Sequence, residues 1–255
     1  MKVLLILVDG MRPDALPPIQ KAKEIMGSSR YTMEAKTVFP SVTLPCHMSL
    51  FHSVDPARHG ITTNLYTPPV RPVNGICEVL LNAGKGSAFF YNWEEIRDLA
   101  RPNSLDFAYF CKGRKFGYDV ANDRVTDAAI SYLNENDTDF AFVYMGYTDA
   151  AGHNHGWMSE QYIKAMENSW NNIARLIDGV SEDYAIIITA DHGGHDRAHG
   201  SDLPEDMTIP MIVTYKGQVK ELDLTDANIK DIAPTVTQLL GVAPDSQWEG
   251  KSLLI

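Results

Sequence analysis

The eight histidines of this chain fall in two windows, His47, His52 and His59 in the first and His153, His155, His192, His195 and His199 in the second. Aspartates accompany the second window. The run DAAGH puts Asp149 four residues before His153, Asp191 and His192 are neighbours, and HDRAHG adds His199 within a glycine-rich loop. Carboxylate and neutral imidazole, with no usable thiolate beside them, make a ligand set for zinc or manganese, in which the carboxylates offset the charge of the ions. More than one ion fits such a set. An isolated Asp behind an apolar run, as Asp9 is, reads more simply as a helix cap or turn residue. The company it keeps changes that reading, because Asp9, Asp149 and Asp191 each follow a separate apolar run.

Those runs are the elements that must position the site. VLLILV at 3–8, SAFFY at 87–91, DFAFVYM at 139–145, YAIIIT at 184–189 and PMIVTY at 210–215 are short and continuously apolar, the pattern of strands buried on both faces in parallel sheets. MEAKTV at 33–38 and LDFAYF at 105–110 are weaker strand candidates. Between them, helical periodicity is clearest over 158–178, where Tyr162, Met166, Trp170, Ile173 and Ile177 recur at three and four. Further helices are expected over 73–82, 120–133 and 232–240. Strands alternating with helices imply an α/β fold, a doubly wound, mostly parallel central sheet with helices on both faces. Its carboxyl edge is where ligands bind, so the three aspartates should converge there.

Composition sets the outer limits. With 255 residues, 44% of them hydrophobic, the chain can bury one core, and residues 1–255 are expected to form a single catalytic domain. The net charge of −11 is spread along the chain without a basic run, which argues against a nucleic-acid polymer as partner. Cys46, Cys77 and Cys111 are an odd set without CxxC spacing, so a reducing compartment is expected. No stretch approaches the length of a membrane span, and the cytoplasm is the expected location.

A second segment, VFPSVTLPCHMSLF at 38–51, suggests what the metals act on. Pro45 suits the first turn of a helix, which brings Thr43 near the N-cap. A helix start offers amides and positive potential to an anion, and a metal converts a hydroxyl there into a competent nucleophile. A Thr at this position is equally compatible with a plain capping role.

With VDGMRPD, FPSVTLPCHMSLFHSVDPARHGI, DAAGHNHG and ADHGGHDRAHG in this order, the chain resembles the alkaline phosphatase superfamily, and most of all its nucleotide pyrophosphatase/phosphodiesterase branch. The likeness spans residues 8–200, and MTIPMIVTYKG and DIAPTVTQLLGV resemble the closing elements of the same group. The resemblance implies two zinc ions, with manganese as the alternative. One would be bound by Asp149, His153 and His199, the other by Asp9, Thr43, Asp191 and His192, with Thr43 as nucleophile. It implies hydrolysis of a small phosphorylated substrate, a phosphodiester or nucleotide phosphoanhydride, through a phosphothreonine. Phosphomonoester, phosphonate and sulfate-ester hydrolysis and phosphomutase action belong to the same superfamily, and a metal- or phosphate-binding protein that kept the fold is the non-enzymatic alternative. The related diesterases carry Asn where this chain has Cys46, so Cys46 is taken as a candidate substrate contact. No segment between the motifs is long enough for a large inserted cap, which favours a small or openly bound substrate. The first loop, with Arg12 and Asp14, is read as self-tying, His155 and His195 as groups orienting the ligands, and Tyr91, Trp93, Tyr118 and Trp157 as core or pocket-wall aromatics.

Overall fold

The structure, a computed structural model, describes residues 1–215 and 221–255. Seven strands, β1 (Lys2–Val8), β2 (Arg30–Lys36), β3 (Ser87–Tyr91), β4 (Phe107–Phe110), β5 (Phe140–Met145), β6 (Tyr184–Thr189) and β7 (Thr208–Tyr215), form one sheet. Their order is β2-β7-β6-β1-β5-β3-β4. β1 lies at the centre, parallel to both β5 and β6, and Val3 to Val8 are all buried because helices cover both faces. Two adjacent residues of β3 mark the two faces. Phe89 packs edge-on against Phe51 of the helix Thr43–His52, while Phe90 meets Tyr132 of the helix Tyr118–Glu135 on the other side. The α/β class and the mostly parallel sheet expected from the sequence are what the chain adopts.

Register sets the height at which the chain leaves each strand. Val8 is paired with Met145 and Leu7 with Thr189, so β1, β5 and β6 end level and release Asp9, Asp149 and Asp191 at one edge. The helix Glu160–Gly179 begins where Ser159 Oγ accepts the amide of Tyr162 at 3.2 Å. Tyr162, Met166, Trp170 and Ile173 along its apolar stripe are fully buried.

Three departures from the sequence reading have physical causes. β7 runs antiparallel to β6 and to β2, since continuous hydrophobicity reports burial on both faces and carries no strand direction. β2 starts at Arg30, earlier than the expected 33–38, and as the edge strand beyond β7 it is mostly exposed, so its apolar signal is weak. A helix over Tyr147–His155 has few apolar residues to advertise it, with Gly152 inside and Gly156 ending it at φ 97°. Lys216 and Gly217, at the end of the MTIPMIVTYKG segment, lie outside the described residues. Among the described residues no helix is long and apolar enough to cross a membrane.

The helix Thr43–His52 is buried along its whole length. Phe51 makes edge contacts with Phe142 and Phe89 at ring distances of 5.0 and 5.4 Å, and His47 lies 5.4 Å from Tyr144. This anchoring fixes the helix start over the carboxyl edge of the sheet. It also corrects the expectation for Cys46, which is fully buried, with Sγ directed at the carbonyls of Pro40 and Val38 at 3.7 and 3.9 Å. Burial pushes the thiol above its usual range, so it packs as a small apolar group and offers nothing to a substrate. Cys46→Asn is therefore expected to cost about 1–3 kcal/mol in urea denaturation, by burying an amide in a space shaped for sulfur, with no gain in diester hydrolysis. A variant of undiminished stability that turns over diesters faster would put position 46 in the site.

Candidate active site

Each metal-type residue read from the sequence arrives at the carboxyl edge by a different route. Asp9 follows β1 directly, Asp191 follows β6, and Asp149 and His153 sit four apart on the helix Tyr147–His155, hence on one face of it. His192 and His199 come from the loop behind β6. Thr43 is the first residue of its helix, with Val42 in the cap position, so Thr43 itself is not the capping residue. Freed from capping, its hydroxyl faces His192 Nε2 at 3.2 Å.

The three imidazoles share one arrangement. His153 Nδ1 donates to the Arg197 carbonyl at 2.9 Å, His192 Nδ1 to Gly193 at 2.7 Å and His199 Nδ1 to Ser41 at 2.8 Å. A ring that spends its Nδ1–H on a carbonyl presents a bare lone pair at Nε2, the arrangement by which metal ligands are oriented. Those lone pairs point at carboxylate oxygens. His192 Nε2 lies 3.4 Å from Asp9 Oδ1 and 3.3 Å from Asp191 Oδ2, and Asp149 Oδ1 lies 3.4 Å from His153 Nε2 and 3.6 Å from His199 Nε2.

Acceptors thus face acceptors. Asp9 Oδ1, Asp149 Oδ1 and Asp191 Oδ2 are buried and make no hydrogen bond, and among the described residues no Lys or Arg forms an ion pair with any of the three. Bound cations relieve this arrangement while keeping the carboxylates ionised, and the donor set of oxygen and imidazole nitrogen suits divalent transition ions. The ligand atoms of Asp149, His153 and His199 lie within 4.8 Å of one another, and so do those of Asp9, Asp149 and His192. Asp149 therefore stands between the two groups, whereas the resemblance gave it to one ion. Asp191 fixes the second group from below, its Oδ1 accepting the Gly10 amide at 3.1 Å. Tyr144 donates its hydroxyl to Asp9 Oδ2.

The glycines answer for close approach. A Cβ on Gly193 would stand 2.0 Å from the Glu205 carbonyl, and one on Gly194 would stand 2.2 Å from the Trp157 ring. Trp157 in turn donates Nε1–H to the Gly10 carbonyl at 2.9 Å, so it is a strut between the first and last motifs. Arg12 ties the first loop as expected, pairing with Asp14 and donating to the Gly194 carbonyl at 2.9 Å. His195 holds Asp206 at 2.8 Å and so steadies the loop that carries His199, while His155 is exposed. The buried Tyr91 stacks on the exposed Phe110, which together with Trp93 and Tyr118 lines a small cavity beside the site.

Asn64 is the residue that sequence reasoning missed. Its Oδ1 accepts the Leu44 amide at 2.9 Å, which fixes the flip of the side chain and leaves its NH2 group as a donor at the start of the Thr43–His52 helix. The only signal was its distance of 21 residues from Thr43, which carries no periodicity. Of the first-turn amides, Leu44 is thus taken, Pro45 has none, and Cys46 donates to Val42 at 3.0 Å. The Thr43 N–H makes no hydrogen bond among the described residues.

Burial dominates the protonation of this cluster in the absence of metal. It pushes the Asp191 carboxyl up to about 8, raises Asp9 well above the usual carboxylate range with help from the neighbouring Asp191 and Asp149, and drives His192 down to about 3 and His199 to about 4. The histidines bind fewer protons folded than unfolded, so they favour the fold increasingly as pH rises to about 6.5 and add no further change above it. Asp191 binds a proton when folded that the unfolded chain has lost, so its contribution falls as pH rises toward about 8. Chelator-treated protein should therefore lose stability between about pH 6.5 and 8, by up to about 1.4 kcal/mol per pH unit for each proton held. Zinc should abolish that slope by holding the carboxylates ionised. Parallel pH profiles of melting temperature with and without zinc would contradict this account of the cluster.

Comparison with known proteins agrees with the geometry. The model of the metalloenzyme superfamily matches residues 111–244, more than half of the chain, and that of type I phosphodiesterase/nucleotide pyrophosphatase matches residues 3–79. The 2,3-bisphosphoglycerate-independent phosphoglycerate mutase of Staphylococcus aureus (strain Mu50) is 32% identical over 137 residues, 51% of this chain and 26% of that enzyme. The matched region thus spans about a quarter of the length of that relative. Murine ectonucleotide pyrophosphatase/phosphodiesterase 5 superposes with a TM-score of 0.78 at 16% identity, covering 100% of both chains. The phosphonate monoester hydrolase of Silicibacter pomeroyi superposes with a TM-score of 0.74 at 14% identity, over 99% of this chain and 75% of that one. Two family models that between them take in all three aspartates, Thr43 and every imidazole of the cluster leave one assignment: the chain belongs to the metalloenzyme superfamily, the alkaline phosphatase superfamily of the sequence resemblance.

Proposed function

We propose that the protein is a two-metal hydrolase of phosphate esters, acting on phosphodiesters or nucleotide phosphoanhydrides through a phosphothreonine at Thr43. The observation that carries this reading is the Thr43 hydroxyl at a buried helix start, 3.2 Å from His192 Nε2, which itself lies 3.4 and 3.3 Å from the carboxylate oxygens of Asp9 and Asp191 that make no hydrogen bond. Two zinc ions, or manganese, would be held by Asp149, His153 and His199 and by Asp9, Asp191, His192 and Thr43. Bound there, they would supply Lewis-acid stabilisation and lower the pKa of the Thr43 hydroxyl.

The chain's own groups do the rest. Thr43 Oγ1 attacks phosphorus in line, the bond from phosphorus to the leaving oxygen breaks, and the phosphoryl group is held on Oγ1. The Thr43 N–H and the Asn64 NH2 are the donors available to the non-bridging oxygens as charge gathers on them. Water then attacks phosphorus, the bond to Oγ1 breaks, and Thr43 is regenerated with net retention. Three carboxylates and the ionised Thr43 offset two divalent ions, so an anionic ester meets no excess of negative charge.

A second reading, phosphomutase action, is favoured by the 32% identity to the phosphoglycerate mutase. It differs in returning the phosphoryl group of Thr43 to an organic acceptor instead of water.

Thr43→Ala should leave folding and most metal binding intact and reduce turnover of aryl phosphodiesters by several orders of magnitude, while Thr43→Ser retains substantial activity. Rapid acid quench of the wild type should trap the phosphoryl group on Thr43, together with the ester substituent that has not left. Wild-type turnover by Thr43→Ala would overturn the covalent route. With an aryl phosphomonoester as donor, transfer of the phosphoryl group to an added alcohol without release of inorganic phosphate would favour the mutase.

A further inference from the structure

A small cavity of about 100 Å³ opens next to the metal-type cluster, lined among others by Trp93, Glu94, Glu95, Lys112, Arg114 and Tyr118. It sits at the same carboxyl edge, where β3 and β4 end. Three contacts tie it to the cluster. Asn92, also on its wall, accepts the amide of Gly146, which opens the helix carrying Asp149 and His153, at 3.0 Å. The Trp93 ring lies 6.2 Å from that of Tyr144, whose hydroxyl donates to Asp9. The Tyr118 ring packs against the same Gly146, where a Cβ would stand 3.0 Å from it.

The segment behind β4, CKGRKFG, places Lys112, Arg114 and Lys115 within four positions of a chain whose net charge is −11. Their roles differ. Lys112 is 3.6 Å from Glu94, which also binds Arg97 at 2.9 Å, so that charge is largely spent within the wall. Arg114 has no carboxylate partner among the described residues. Glu95 also lines the cavity without a cationic partner among the described residues, and its charge disfavours an anion there. A guanidinium without a carboxylate partner, on the same cavity wall as a tyrosine, offers charged donors to a carboxylate or phosphate, and the cavity has room for a group of only a few heavy atoms.

We propose that this cavity is a subsite for a second anionic group on the substrate, a carboxylate or a phosphate held by Arg114 while the scissile phosphoryl group lies at Thr43. The inference rests on the phosphate-ester reading of the cluster and narrows its substrate to esters carrying a second negative charge a few bonds from the scissile phosphate. Arg114 acts here as a determinant of specificity, and Glu95 limits the charge accepted.

The test is binding, measured by calorimetry on zinc-loaded Thr43→Ala protein so that nothing turns over. The probes are ω-carboxyalkyl phosphates of two to five carbons, alkane bisphosphates of the same lengths, and the matching uncharged-tail alkyl phosphates. A carboxyalkyl phosphate or bisphosphate of fitting length should bind at least about tenfold more tightly than its alkyl partner, the gain of a charged hydrogen-bonded pair. Adding Arg114→Ala should reduce that ratio to near one, and adding Glu95→Gln should raise it, an opposite response that general loosening of the wall would not give. Whichever probe series shows the larger ratio identifies the anion. Equal binding of charged and uncharged tails would overturn the subsite alone. Failure of every phosphate to bind would overturn the phosphate-ester reading and the subsite with it.

Discussion

Three carboxylates buried at the level ends of adjacent strands repel one another, and the protein provides no lysine or arginine ion pair, among the described residues, to relieve them. The fold makes this repulsion unavoidable. β1 is flanked by β5 and β6, strands sit about 4.8 Å apart, and each of the three sends an aspartate to the same edge. Imidazoles add lone pairs where a donor would have given relief, because each has already spent Nδ1–H on a backbone carbonyl. A site so arranged has one stable complement, positive charge from outside the chain.

Much of the surrounding structure serves to hold that tension in register. The aromatic packing of Phe51 and His47 on β3 and β5 keeps the start of the Thr43–His52 helix over the edge. Trp157 joins the Gly10 turn to the helix and loop that bring His153 and His199, and Gly194 is required because that ring lies against its backbone. Asp206 gathers the loop behind Asp191 by accepting from His195, from the Ser201 amide and from the Ser201 hydroxyl. Rigid support of this kind is what a catalytic constellation needs, since its ligands must stay in place when no ion is bound.

The parts of this site that could be read from the sequence were those with local signatures. Continuous apolar runs ending in Asp gave the strands and the edge, and Asp149 with His153, or Asp191 with His192, show ligand spacing on their own. What stayed hidden depends on contacts distant in the chain. Strand direction for β7 follows from topology that a hydrophobic run does not encode. Asn64 has no motif-like surroundings, and only the bond to the Leu44 amide reveals its position. Cys46 misled because neighbours along a helix need not share a surface: three residues beyond Thr43, it is sealed beneath the Val38–Pro40 carbonyls. The part of Asp149 between two ligand groups likewise emerges only in three dimensions, since the sequence ties it to His153 alone.

Anomalous diffraction at the zinc edge, from crystals grown with zinc and without chelator, tests most directly whether the cluster exists to hold two ions. Two peaks about 3.5–4 Å apart are expected. One should contact Asp149, His153 and His199, and the other Asp9, Asp191, His192 and the Thr43 hydroxyl. A single peak, or none with all seven side chains ordered, would contradict the account.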